Sequence, residues 1–378
     1  MMVPAYPAAR QVAAQVHGRL ARHVAVPHSA EEPPAPVPDS QTIEAVIDAA
    51  FWASLRREED HIPKISLALL PVEQAVHPLL LERALPLNPN MLARLAPAVE
   101  RPGIHLGVWA AAGQLMLWGT ARILPAHCLV VEVVAPGLLV VKYPRSGDGG
   151  KFVNIAVLEA DQIKIIGEEV LGLADAPPLL SLLSDCESSV SSAGSVDVLT
   201  QLATSMRAHG RGGSLLVVPA GTEQWRESIV LPIPYAVSPS YSELAELVRD
   251  GQGDRHHLRW QEAVNRAVSG LGGLTAVDGA TIITDQFELL AFGATIARRD
   301  GGVPVERVAL TEPIEGGVSA IVHPGQIGGT RHLSAAQFSQ DQKDCVALVA
   351  SQDGRFTLFS WSPCDGIVQA RRVETLLL

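Results

Sequence analysis

Apolar positions recur at helical spacing near the start of the chain and at strand spacing after it. Residues 8–25 (ARQVAAQVHGRLARHVAV) are amphipathic, carry arginine and lack acids, which predicts a peripheral docking helix, with a targeting or membrane-surface helix as the alternative. Residues 27–39 (PHSAEEPPAPVPD) read as a proline-rich tether that would hold this helix apart from the main body. A second helix is expected from Ser40 as N-cap, because Ile43, Val46, Ile47, Ala50, Phe51 and Leu55 fall on one face. Strand-like text then dominates to about residue 166: KISLALL, HLGVWAA, QLMLWGTARIL, CLVVEVV, GLLVVKY and FVNIAVLE, broken by Gly, Pro and Asp. It predicts an α+β domain on a largely antiparallel meander.

The pattern changes over residues 171–196, where Ser, Asp, Ala and Pro accumulate, and a domain boundary is expected near 185–195. The helical text VDVLTQLATSMRAHG closes on Gly210 as C-cap and leads into the strand SLLVVPA. Helices over residues 241–249 and 259–271, strands ATIIT and ELLAFGATIA around Asp285, and a hairpin joining CVALVA to RFTLFSW across Gln352-Asp353-Gly354 follow. Helices alternating with strands predict an α/β C-terminal domain whose mixed sheet is covered on both faces. The expected division is residues 1–39 as helix and tether, 40–190 as the α+β domain, and 195–378 as the α/β domain.

Composition narrows the function. Among 378 residues, 47% hydrophobic against 18% charged belongs to a packed globular chain, and the net charge of −11 disfavours a nucleic-acid surface. Cys128, Cys186, Cys345 and Cys364 form no C-x-x-C pair, which fits reduced thiols in the cytoplasm. The apolar run over residues 104–121 contains His105, Gln114 and glycines, so it reads as strand, turn, strand and not as a membrane span. His256-His257 with Asp254 reads as a polar turn, and no G-x-S-x-G, Walker A or H-E-x-x-H motif occurs.

Three short motifs carry chemistry. Asp278-Gly279-Ala280 is a common turn dipeptide ahead of a strand, or it offers Asp278 as a hard oxygen ligand for Mg²⁺ or Mn²⁺ beside an approachable backbone. Gly328-Gly329-Thr330-Arg331-His332 places two glycines, a hydroxyl, a guanidinium and an imidazole where a helix begins, a combination suited to phosphate. The plain alternative is a glycine turn with Arg331 in solvent. Gly212 to Val218 by itself is a glycine-led buried strand, and Phe292-Gly293 lies in an apolar strand that needs no ligand to explain it.

In this order the motifs resemble the nucleotide site of the diadenylate cyclase (DisA_N-type) domain, over roughly residues 195–375. The resemblance implies a DAC-like fold and condensation of two ATP into cyclic di-AMP with release of pyrophosphate. It assigns metal binding to Asp278 and Asp353, and catalysis to Asp278, Arg331 and His332. Gly213, Ser214, Leu215, Gly279, Ala280, Phe292, Gly293, Gly329, Thr330, Arg331, His332 and Ser351 would line the nucleotide. Each subunit would hold one ATP, so a homodimer or higher homo-oligomer is implied.

The chain departs from that pattern at Leu333, where active cyclases commonly carry a second arginine, and at Ser351-Gln352-Asp353, where Ser-Glu-Glu is usual. Val277 stands where some members have histidine. These changes keep open a module that binds ATP or a cyclic dinucleotide without cyclising. Upstream, ASLRREED, LMLWGTARI and PGLLVVKY resemble the probable sensor domain DACNV. The helical DNA-binding tail and the membrane helices of other cyclase classes are not expected here.

Overall fold

A computed structural model of the chain describes residues 5–25, 34–57, 62–111, 113–144, 152–167, 193–250 and 258–378. Two units emerge, residues 1–166 and 167–377. The expected boundary at 185–195, Cys186, and the Asp254-His256-His257 turn lie largely or wholly outside the described residues.

In the first unit, helix α1 (Pro7–Ala25) presents Ala8, Ala9, Val12, Ala13, Val16 and Leu20 along one stripe, each buried. They share a core with Ile43, Val46, Ile47 and Ala50 of α2 (Ser40–Ser54). The expectation of a helix held apart is therefore overturned: six buried apolar side chains dock it. The N-cap of α2 is Asp39, not Ser40, because the Asp39 carboxylate accepts from the Thr42 amide at 2.7 Å. Helix α3 (Pro89–Val99) is capped by Asn88, whose side chain accepts from the Met91 amide at 3.0 Å.

These helices cover an eight-stranded sheet in the order β2-β4-β3-β1-β5-β6-β7-β8. Its strands are β1 (Ile65–Leu69), β2 (Leu79–Pro86), β3 (His105–Ala111), β4 (Gln114–Ala121), β5 (Leu129–Ala135), β6 (Leu138–Pro144), β7 (Phe152–Glu159) and β8 (Gln162–Ile165). Residues 104–121 form the expected strand pair, and no helix among the described residues is long and apolar enough to cross a membrane. The sheet is not a plain meander. β5 to β8 run up and down, but β1 lies centrally and pairs parallel with β3. A parallel partner needs a crossover, and α3 lies in it.

The second unit is built on a nine-stranded mixed sheet in the order β10-β12-β11-β9-β15-β16-β17-β13-β14. Its strands are β9 (Gly213–Val218), β10 (Tyr235–Tyr241), β11 (Ala280–Thr284), β12 (Leu289–Ala294), β13 (Val308–Thr311), β14 (Ala320–Val322), β15 (Val346–Ala350), β16 (Phe356–Ser362) and β17 (Ile367–Arg372). Helices α4 (Ala193–Ala208), α5 (Glu243–Asp250) and α6 (Leu258–Leu274) cover one face, and α7 (Thr330–Asp341) the other. Alternation in the central strands explains this two-sided burial: Leu215 and Val217 enter one core, Leu216 and Val218 the other. Gly210 adopts φ +64° just past α4, the left-handed turn that ends a helix.

Candidate functional site

Strand polarity gathers the motifs. β9 and β11 run parallel with Ala280 opposite Ser214, so both begin at one end of the sheet. β15 runs antiparallel to β9 and ends there, Ala350 opposite Gly213; β12 likewise ends at Ala294 opposite Ala280. The turn entering β9, the turn entering β11, the end of β12 and the hairpin leaving β15 therefore share one edge. The start of α7 joins them, because a β-carbon on Gly212 would lie 3.2 Å from Arg331 Nη1.

Glycine lets backbones meet at this edge. Gly279 holds φ +103°, and a β-carbon there would come 2.5 Å from the carbonyl carbon of Gly293. Gly293 holds φ +66°, and its own β-carbon would lie 2.6 Å from Tyr235 Cδ2. Neither position admits a side chain. Tyr235 stacks on Phe292 with centroids 4.8 Å apart and planes 12° apart, and it remains 51% exposed. The pair presents an aromatic face beside the glycines. Tyr235 is the residue that sequence reasoning missed, because its place depends on the pairing of β10 with β12.

Arg331 occupies the first turn of α7, where Gly329 is the N-cap, no side chain caps the helix and no acid lies in the first turn. The helix thus directs partial positive charge toward the same place as the guanidinium. Arg331 Nη2 lies 3.8 Å from Asp278 Oδ1, and the Asp278 side chain is otherwise fully exposed. Thr330 is exposed at the first helical position.

His332 is placed differently. Its ring is buried edge-on against Phe359, with centroids 6.1 Å apart, and a β-carbon on Gly328 would meet its Nδ1 at 2.4 Å. Burial holds its pKa below the ordinary histidine value, and Nε2 is enclosed without a hydrogen-bond partner. It underpins the glycine turn. Ser214, Leu215 and Ala280 are also buried, and Leu215 belongs to the core under α4 and α6. From Leu215 and Ala280, only backbone could meet a ligand.

Ser351 and Asp353 lie in the β15–β16 hairpin, as the Gln352-Asp353-Gly354 text anticipates. Partial burial raises the Asp353 pKa, but the Ser351 hydroxyl and Arg355, whose Nε is 3.4 Å away, outweigh this and leave it below the usual range. Gln352 donates to the Arg211 carbonyl at 3.3 Å, tying the hairpin to the turn before β9. His209 Nε2 meets Thr275 Oγ1 at 3.1 Å, which fastens that turn to the approach to Asp278.

Among the described residues no three His, Cys, Asp or Glu side chains gather as a metal site. Asp278 offers a single open carboxylate, compatible with Mg²⁺, which commonly takes one or two carboxylates, waters and substrate phosphates. A cleft of about 1500 Å³ in the second unit lies elsewhere, against Glu306, Glu312, Trp361, Asp365 and Arg371. None of the motif residues lines it. Cleft size and convergent chemistry disagree here, and the convergence of Asp278, Arg331 and the glycines defines the candidate.

No curated protein matches the chain. Residues 32–122 match the family model described as the probable sensor domain DACNV, so this part of the first unit is similar to a sensor module.

Proposed function

We propose that the second unit is a nucleotide-binding domain of the diadenylate cyclase type, converting two ATP into cyclic di-AMP and two pyrophosphates under control of the sensor-like first unit. The observation that carries this reading is the meeting of Asp278, Arg331, Gly279 and Gly293 at one sheet edge, brought by separate segments.

Arg331 and the amide end of α7 would hold the phosphates. Gly279 and Gly293 leave room for sugar and phosphate against the backbone, and the Tyr235–Phe292 face would receive the adenine. Asp278 would leave Arg331 to hold Mg²⁺ or Mn²⁺, which neutralises charge at the reacting phosphate. The 3′-hydroxyl of one ATP then forms a bond to the α-phosphorus of the other as the α–β bridging bond breaks. Pyrophosphate leaves with the electron pair, and the hydroxyl proton passes to solvent. Two such transfers close the ring.

A second reading, nucleotide binding without cyclisation, draws on Leu333 and Gln352. Leu333 is exposed and uncharged on α7, and the Gln352 amide is engaged with Arg211. Incubation with ATP and Mn²⁺ or Mg²⁺, followed by mass analysis, tests both. Cyclic di-AMP supports the cyclase. Retained ATP without product selects the binding module, and no retention of ATP removes both readings.

A further inference from the structure

An arginine-lined hollow lies in the first unit, remote in sequence from the motifs above. Arg56 and Arg57 follow the end of α2, and Asn90 and Arg94 belong to α3, which packs against it. With Ala93 these residues line one hollow of about 380 Å³. Among the described residues none of the three arginines has an ion-pair partner, although the chain carries 40 acids against 29 Lys and Arg. Arg56 is half-buried, and its Nε is enclosed with no hydrogen-bond acceptor.

Three guanidiniums around one hollow repel each other, and an enclosed N–H without an acceptor forfeits a hydrogen bond. A single anion between them offsets both costs. Arginine forks match the oxygens of phosphate two at a time, and the Asn90 amide can donate beside them. Ala93 keeps the floor shallow, and the volume accommodates a phosphate with a small organic body. We propose that this hollow, within the part of the chain similar to a probable sensor domain, binds a small soluble molecule through its phosphate group.

The test uses the full chain carrying Arg331→Ala, which silences the anion site of the second unit. Inorganic phosphate is titrated by calorimetry into this protein and into versions that also carry Arg94→Gln or Arg56→Gln. Saturable binding should persist with Arg331→Ala alone and weaken roughly tenfold or more with either added substitution, the effect of losing one charge-assisted contact. The unfolding temperature without phosphate should stay unchanged for Arg94→Gln, since Arg94 is exposed. Equal phosphate affinity in all three proteins, or no saturable binding, overturns the proposal. Binding only to vesicles bearing phosphatidylinositol phosphate, with no competition by free phosphate, overturns the soluble ligand class.

Discussion

Arg331 Nη2 stands 3.8 Å from Asp278 Oδ1, linking the first turn of α7 to the turn that enters β11. With Asp278 fully exposed and Arg331 39% exposed, water screens such a pair and it adds little to stability. On the proposed reading its value is geometric: it would keep the cation meant for phosphate and the anion meant for metal adjacent until a ligand separates them.

Asp278→Asn follows from this. The amide keeps shape and loses charge, so folding is expected to survive while metal-dependent ATP binding falls sharply. Calorimetry with ATP and Mn²⁺, alongside an unfolding curve, checks it. Equal affinity in two folded proteins would remove Asp278 from the metal role.

Arg331→Ala should weaken nucleotide binding by about 1.5–3 kcal/mol, the range for hydrogen bonds to charged groups. An arginine that merely projects into water would cost almost nothing. Unchanged ATP affinity would leave α7 as an ordinary helix opened by glycine.

Gly279→Ala tests the close approach of two backbones. The new β-carbon would fall 2.5 Å from Gly293 carbonyl carbon at φ +103°, so β11 and β12 must shift. A loss of about 1–3 kcal/mol is expected, together with loss of nucleotide binding. Chemical denaturation of Gly279→Ala beside Gly273→Ala, a position with open space around it, measures the difference. Equal stability of the two variants would refute the tight contact.

The parts legible in sequence are those whose pattern is local. Buried runs such as SLLVV and ATIIT announce β9 and β11, and Asp353-Gly354 announces the hairpin after β15. The edge strands β10 and β14, and β13 beside β14, are short or exposed, with little alternation to reveal them. α3 carries Pro97 within strand-rich surroundings. At the site, glycine, acid and arginine motifs can be read in order, but the stacking of Tyr235 on Phe292 and the burial of His332 come from nonlocal packing. The docking of α1 could be expected from its amphipathic stripe, but its full burial against α2 could not: the proline-rich text after it suggested a helix held apart, and an alanine-rich stripe looks weakly apolar until a partner helix covers it.

His105 gives the first unit a pH dependence. It is 4% exposed, takes a 2.7 Å hydrogen bond between its Nδ1 and the Ser66 hydroxyl, and burial pushes its pKa down to about 4, with Glu132 opposing and Lys142 assisting. An unfolded histidine titrates near 6.5. Between these values the unfolded chain binds a proton that the folded chain refuses, so stability rises with pH. This contribution is complete above about pH 6.5 and is lost as pH falls toward 4, by up to about 3 kcal/mol. His105→Asn should flatten the stability profile over that interval, whatever its effect at neutral pH. A variant profile as steep as the parent's would assign the slope to other groups.

Cyclisation, if the proposed chemistry holds, should depend on self-association. The candidate site has one Arg331, one α7 terminus and one aromatic face, enough for one nucleotide, while the product contains two. A two-fold contact that places identical edges face to face supplies the second ATP head to tail with the first, using the same residues on both sides. A ligand in the first unit would then regulate the reaction by favouring or blocking that contact, a shift between assembly states. Specific activity is therefore expected to climb with protein concentration until association saturates, in step with the dimer fraction seen by sedimentation. A strictly monomeric protein that forms cyclic di-AMP at a concentration-independent specific rate would exclude this mechanism.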